Sequence, residues 1–426
     1  MHPRTRISNP ARLALLAASW AAFLAGLTVQ ASAQTAPPSA ATSAPNLRDL
    51  FEAAWARQPE AQALQARRDA AQAHRRAADA WTPEPPAVEA AHRTDRLTRN
   101  SGARELEVGI AVPLWLPNER GSTSALAEAE LAVTESRVGA ARLRLAASLR
   151  SAWWDRQRAA VDVDIARGQL ASARRLADDV SRRVKAGELA RADQNQAEGA
   201  VAVAEGVLAL AEGAQRATLQ QLKGVTAGAI AVAPDNVATS EPEPSAGEGS
   251  PHPALVELQD RVTVAERAIA LAAVQSRANP EVSLATTRDR GASGERYGQT
   301  VTLALRIPFG GGPRYDSRVA AARAEALEAQ AQLTMDRARL QADREAALAH
   351  VQAARAQLAA SERRAALARE TRGFFEKSFR LGETDLPTRL RIEAEATEAE
   401  RQAARNRIEL AAAISAWRQA LGLLPQ

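Results

Sequence analysis

The sequence predicts a mainly α-helical chain in which long antiparallel coiled-coil hairpins carry two β-hairpins. Three observations predict it. The first is an internal echo: VKAGELARADQNQAE (Val184–Glu198) answers FRLGETDLPTRLRIE (Phe379–Glu393), and GIAVPLW (Gly109–Trp115) answers ALRIPFG (Ala304–Gly310). Gly187 and Gly382, like Pro113 and Pro308, stand 195 residues apart. An echo of that length points to two copies of one large structural unit. The second is a pair of very long stretches with almost no helix breaker. The third is strict apolar alternation just before each of them.

Met1–Ala33 opens with Arg4, Arg6 and Arg12, continues through the apolar stretch Leu13–Val29 and ends in Ala31-Ser32-Ala33. That order predicts a cleavable secretory signal over 1–33; the rival reading is an uncleaved anchor, for which the stretch is short. Residues 34–45, rich in Pro, Ser and Ala, predict a flexible leader. From Asn46 to Trp81 the pattern is helical, with Leu47, Leu50, Phe51, Ala54 and Trp55 on one face. Thr82-Pro83-Glu84-Pro85-Pro86 ends it.

A β-hairpin is then expected at about 87–114. In Glu105–Leu114, Leu106, Val108, Ile110, Val112 and Leu114 share one face. The second copy repeats the plan at about 281–307, with Val301, Leu303, Leu305 and Ile307 aligned. After each hairpin comes a helical arm. No proline occurs between Pro117 and Pro234, and only Pro387 interrupts Arg314–Leu424. A helix from Asn118 to Lys185 would span roughly 100 Å. Gly187 and Gly382 break the arms, and returning helices follow to about Lys223 and Leu424. The first repeat is thus placed at 46–223, a Pro/Gly/Ser/Glu-rich linker at 224–253, and the second repeat at 254–424.

Four strands cannot close a barrel, and in a bilayer the open edges would leave backbone groups unpaired. Three chains pooling hairpins would supply twelve strands. A soluble hairpin packed on a periplasmic core explains alternation equally well. Trp115 and Phe309 at strand ends, with Trp81 before the first hairpin, resemble an interfacial girdle and favour a membrane β part. Gly187 and Gly382 sit where a left-handed residue must end a helix. Asp193 fits either a helix-start acid favoured by the dipole or an acid ringing a pore mouth.

Composition excludes several functions. The net charge of +5 falls to +2 once the three arginines of the signal are removed, and Arg and Glu are interleaved, which makes a poor nucleic-acid binder. There is no cysteine, so neither a disulfide nor a lipid-bearing cysteine is available. The isolated His74, His92, His252 and His350 have no metal-ligand spacing, and no phosphate loop or nucleophile–base pair stands out. Neither an enzyme nor a bound cofactor is expected.

With the repeat, the paired hairpins and the glycine turn followed by Asp193 and Ala197 in view, the chain resembles the TolC family of outer-membrane factors. The likeness runs from about Asn46 to Leu424, although Thr388 stands where the second copy would carry the acid. It implies a homotrimer: a twelve-stranded barrel among outer-membrane lipids, continued by a helical tunnel through the periplasm. Its glycine turns would form a tip that gates and docks a periplasmic adaptor, opening to an inner-membrane pump of the RND type. Gly187, Asp193 and Gly382, with Arg380, Glu383 and Asp385 nearby, are the tip residues so implied. The strand ends ELEVGIAVPLW and VTLALRIPFGGG look most like the cobalt–zinc–cadmium efflux branch. A periplasmic coiled-coil adaptor or scaffold is the alternative, though it would not duplicate the hairpin and strand pair.

Overall fold

A computed structural model describes residues 46–228, 240–245, 251–310 and 312–426. The expected signal at 1–33, the leader at 34–45 and most of the linker lie outside the described residues.

The helical pattern from Asn46 to Trp81 is not one helix but three: α1 (Leu47–Trp55), α2 (Pro59–Gln62) and α3 (Leu64–Ala78). Proline is the cause. Pro59 forces Gln58 into an extended conformation (φ −68°, ψ 141°), and the chain restarts with Pro59 in the first helical turn. Asn46 starts α1, its Oδ1 accepting the Asp49 N–H at 2.8 Å.

The sheet has the order β1-β2-β3-β4, every neighbour antiparallel. Its strands are β1 (Ala87–Thr94), β2 (Arg104–Pro113), β3 (Glu281–Arg290) and β4 (Gly298–Arg306). β1 and β3 continue to Thr94 and Arg290 because ladder pairing holds polar residues such as Arg93 and Asp289 in register. The two hairpins join through β2 and β3, which leaves β1 and β4 as free edges.

Each hairpin leads into an arm. α4 (Glu119–Ala186) is 68 residues long and α7 (Gly312–Arg380) is 69. The returning helices are α5 (Arg191–Val225) and α8 (Leu386–Ala420). Pro387 does not interrupt α8; it lies in its first turn, where the missing N–H has no helical partner to lose. α6 (Pro253–Val274) leads from the linker into β3 and packs between α4 and α7. It starts on Pro253 as α2 starts on Pro59. No described helix is long and apolar enough to cross a membrane.

Alanine dominates the contacts between arms: Ala140, Ala146, Ala159 and Ala166 of α4 are buried, as are Ala197 and Ala204 of α5 and Ala396, Ala399 and Ala403 of α8. Small side chains let the backbones approach closely. The bulky core gathers midway along α4, where Leu50 and Phe51 of α1 meet Leu149, Trp153, Trp154 and Leu222.

The linker contributes to this middle region, a role that its composition does not suggest. Glu241 is buried between Arg150 of α4, whose Nε and Nη2 donate to it at 2.9 and 2.8 Å, and Arg418 of α8, whose Nε lies 3.5 Å away. Arg150 Nη1 also donates to Gln419 Oε1 and the Leu423 carbonyl, at 2.6 and 3.0 Å. Two cations around one carboxylate, further satisfied by carbonyls, make a buried ion cluster affordable. Linker, α4 and chain end are thereby clamped together.

A second buried acid joins sheet to helices. Glu119, at the start of α4, accepts from the Leu116 N–H (2.9 Å), Asn279 Nδ2 (2.6 Å) and Gln275 Nε2 (2.9 Å). Asn279 also donates to the Leu114 carbonyl at 3.0 Å. The base of β2 and the α6–β3 connection are therefore held on one carboxylate.

Candidate functional sites at the helix turns and the sheet

The two helix turns have the same backbone. At the first, the Gly187 N–H donates to the Val184 carbonyl and the Glu188 N–H to the Arg183 carbonyl; at the second, Gly382 donates to Phe379 and Glu383 to Ser378. Both glycines are left-handed, with φ of 81° and 79°. This Schellman arrangement satisfies the last carbonyls of α4 and α7. A Cβ at either glycine would meet nothing within 4 Å, so backbone conformation and not space requires glycine here.

The helix starts that follow divide one device between them. A reciprocal capping box needs an acceptor at the cap residue and another three residues on. In the first turn only the latter exists: Asp193 Oδ2 accepts the Ala190 N–H at 3.0 Å, and Ala190 has no side-chain acceptor to answer. In the second turn only the former exists: Asp385 Oδ1 accepts the Thr388 N–H at 3.3 Å. The Thr388 bonds hold the Asp385 carboxyl below its ordinary range. The Asp193 carboxylate is thus engaged in starting α5, the geometry of the helix-start reading. Thr388 stands at the acid's place, and the capping acid of this turn is Asp385, three residues earlier.

The turns lie side by side. Val180 and Ala197 from the first arm pack with Phe379 and Leu386 from the second, flanked by Val184, Leu189 and Leu390. Arg183 locks them together, a residue that sequence reasoning missed. Its Nη1 and Nη2 donate to the Phe379 and Arg380 carbonyls at 3.0 and 3.3 Å, its Nε meets Asp179 at 3.3 Å, and its guanidinium lies 4.9 Å from the centre of the Phe379 ring. One cation of α4 therefore caps α7. Its counterpart in the repeat is Ser378, which is hydrogen-bonded to Thr384 at 2.5 Å. Arg380, Glu383 and Asp385 are exposed around the second turn. They lie beside the lock and bear on no common centre.

At the other end of the arms the sheet shows two unlike faces. One carries Val88, Ile110, Leu284 and Leu303 in a single cross-strand row, with Val112, Val282 and Leu305 in the row on one side of it. Ile110 is 52% exposed and Leu303 74%. The other face carries Glu89, Gly109, Ala285 and Thr302 in one row and Ala91, Glu107, Thr287 and Thr300 in the next. A Cβ at Gly109 would come within 3.0 Å of the Ala285 Cβ. An exposed apolar face backed by a small, polar one is the pattern of a barrel strand with lipid outside and water within.

The three aromatics expected at the strand ends all fall at one end, the base. Trp81 precedes β1, Trp115 follows β2 and Phe309 follows β4. Trp81 and Phe309 are 94% and 90% exposed, whereas Trp115 is partly covered and donates Nε1–H to the Ala80 carbonyl at 3.2 Å. The far end has Tyr297 instead.

Residues 50–228 match the family described as outer membrane efflux protein. The match covers the first hairpin and arm, less than half of the chain, and the family it names is one of outer-membrane channels and not enzymes. Solved structures with the same fold extend the likeness over the second repeat. The outer membrane protein VceC from Vibrio cholerae shares 18% identity over 88% of this chain and 96% of its own, with a TM-score of 0.70. CusC aligns at a TM-score of 0.74 with 15% identity, over 89% and 93% of the two chains. The open state of the MtrE outer membrane channel of Neisseria gonorrhoeae aligns at 0.69 with 15% identity, over 89% of each. At these identities it is the fold that is shared. No curated protein matches the sequence.

Proposed function

We propose that this chain is the outer-membrane exit duct of a tripartite efflux system, a passive conduit formed by three copies. One observation carries the reading: a four-stranded sheet with a continuous exposed apolar face ends in two unpaired strands, β1 and β4. Unpaired strand edges are untenable in lipid, and pairing β4 of one copy with β1 of the next removes all of them. Three copies supply twelve strands, and their arms form the walls of a tunnel through the periplasm.

In this reading the paired turns at Gly187 and Gly382 form the periplasmic tip, which a periplasmic adaptor grips and an inner-membrane pump of the RND type feeds. Asp193, Arg380, Glu383 and Asp385 belong to that docking and gating surface. Trp81, Trp115 and Phe309 mark the periplasmic boundary of the bilayer. A cleavable signal at 1–33 exports the chain, and the barrel holds it without a lipidated cysteine. The proposed cargo is a heavy-metal cation, supported by the likeness of the strand ends to that branch. Among the described residues no group of three or more His, Asp or Glu is placed to hold a metal.

The absence of cysteine makes the test direct. The double variant Ala90→Cys, Val301→Cys puts one thiol on each free edge, on the same sheet face. Oxidation in isolated outer membranes is expected to yield covalent trimers that dissociate on reduction. Monomers alone would overturn the edge pairing. Metal accumulation in cells lacking the protein tests the cargo separately.

A further inference from the structure

Followed away from its base, the outward face of the sheet changes chemistry abruptly. Its third row is Ala90, Val108, Thr286 and Val301; the fourth is His92, Leu106, Arg288 and Gln299; the fifth brings Thr94, Arg104 and Arg290 together. Arg104 directly opposes Arg290 across the β2–β3 ladder, with Arg288 on the diagonal. Opposed residues of an antiparallel pair have Cα atoms about 4.5–5.5 Å apart, and like charges so placed repel.

The carboxylates of the strands do not relieve this. Glu105, Glu107 and Asp289 fall on the opposite face by alternation, where Glu105 is paired with Arg93 at 3.0 Å. Among the described residues none of Arg104, Arg288 and Arg290 forms an ion pair. The guanidinium groups are nonetheless positioned. Those of Arg288 and Arg290 lie over the Tyr297 ring at 4.7 and 5.1 Å, and Arg290 Nε donates to the Gly102 carbonyl at 3.1 Å. Stacked guanidinium groups keep their edge N–H donors free for a tetrahedral anion.

We infer that Arg104, Arg288, Arg290 and Tyr297 bind the phosphate of an anionic membrane lipid, at the level where the apolar band ends on the side away from the arms. The inference rests on the outer-membrane placement proposed above. Position selects a lipid over a free ion. The patch adjoins three apolar rows on the same face, so acyl chains lying against Val108, Ile110 and Leu303 deliver a headgroup phosphate to the arginines. The bound phosphate offsets the repulsion that the bare face stores.

Full-length protein purified in detergent is titrated with bisphosphorylated lipid A, phosphatidylcholine and inorganic phosphate, and native mass spectrometry reads what is retained. The wild type is expected to retain lipid A at least tenfold better than the R104Q/R288Q/R290Q variant, with no such difference for phosphatidylcholine. A loop control, R96Q/R99Q, should behave as the wild type. Without lipid the triple variant should unfold at the same temperature as the wild type or higher, since it has lost repulsion; this readout also establishes that it folds. Equal retention of lipid A by wild type and triple variant overturns the site. Inorganic phosphate binding as tightly as lipid A overturns the choice of a lipid. Sucrose-gradient fractionation separates the other failure: a wild type absent from the outer membrane removes the placement itself, whatever it retains in detergent.

Discussion

The two helix turns are built on one backbone and two different sets of side chains. Each has a glycine near φ 80° and the same pair of carbonyl-satisfying hydrogen bonds. Their helix starts differ, because the first uses Asp193 and the second uses Asp385 to do half of the same job. They also differ in how they are held: Arg183 of the first turn grips the second, and nothing equivalent reaches back from Ser378. The two turns share a backbone and differ in the side chains that cap and hold it. The second turn is the dependent partner.

Glu241→Gln sets the global reference. It leaves Arg150 and Arg418 buried around a neutral group, which costs about 3–5 kcal/mol. Thermal unfolding should fall while hydrogen exchange rises throughout the middle of the molecule, with both turns affected alike. Arg183→Ala should cost about 2 kcal/mol and do so unequally. Exchange should speed up around 376–386 and remain near wild type around 188–198; equal loosening of the two turns would break the comparison. Gly187→Ala and Gly382→Ala test the shared part. Each forces a left-handed alanine at about 1–2 kcal/mol, and the two values should agree, since neither site crowds a Cβ.

The smallest effect is a dependence on pH. The folded Asp385 carboxyl titrates below its unfolded value, so its contribution is present above the ordinary carboxylate range and is lost as pH falls through the folded pKa. Acidification should therefore fray the start of α8, seen as faster exchange at Thr388, and Asp385→Asn should abolish that dependence. Ala190→Asp would sharpen the contrast from the other side. It completes the box that Asp193 half supplies, and should slow exchange at the start of α5.

What the sequence reveals about these regions follows from how local each signal is. The apolar face of β2 is legible because alternation from Leu106 to Leu114 needs no partner, and the glycine turns are legible because helix ends carry their own residue preferences. The break at Gln58-Pro59 is equally local, yet the apolar spacing of α1 masks it. Strand ends at Thr94 and Arg290 escape because the ladder, not the residue type, keeps them extended. Arg183 and Glu241 escape for a stronger reason. Their partners lie 196 and 91 residues away, and no periodicity connects a cation to a carbonyl in another repeat. The aromatic girdle was expected from residues at several strand ends, but the antiparallel order brings Trp81, Trp115 and Phe309 to the same end.

The clamp at Glu241 also has a mechanical meaning. It grips α4 at Arg150, so the remaining stretch to Gly187 is a stiff lever roughly 55 Å long. A rotation of about 5° at that fulcrum sweeps the far end through about 5 Å, the height of one helical turn. Motion too small to disturb the alanine contacts beside the fulcrum thus becomes a displacement wide enough, at Arg183, to part its grip on the second turn.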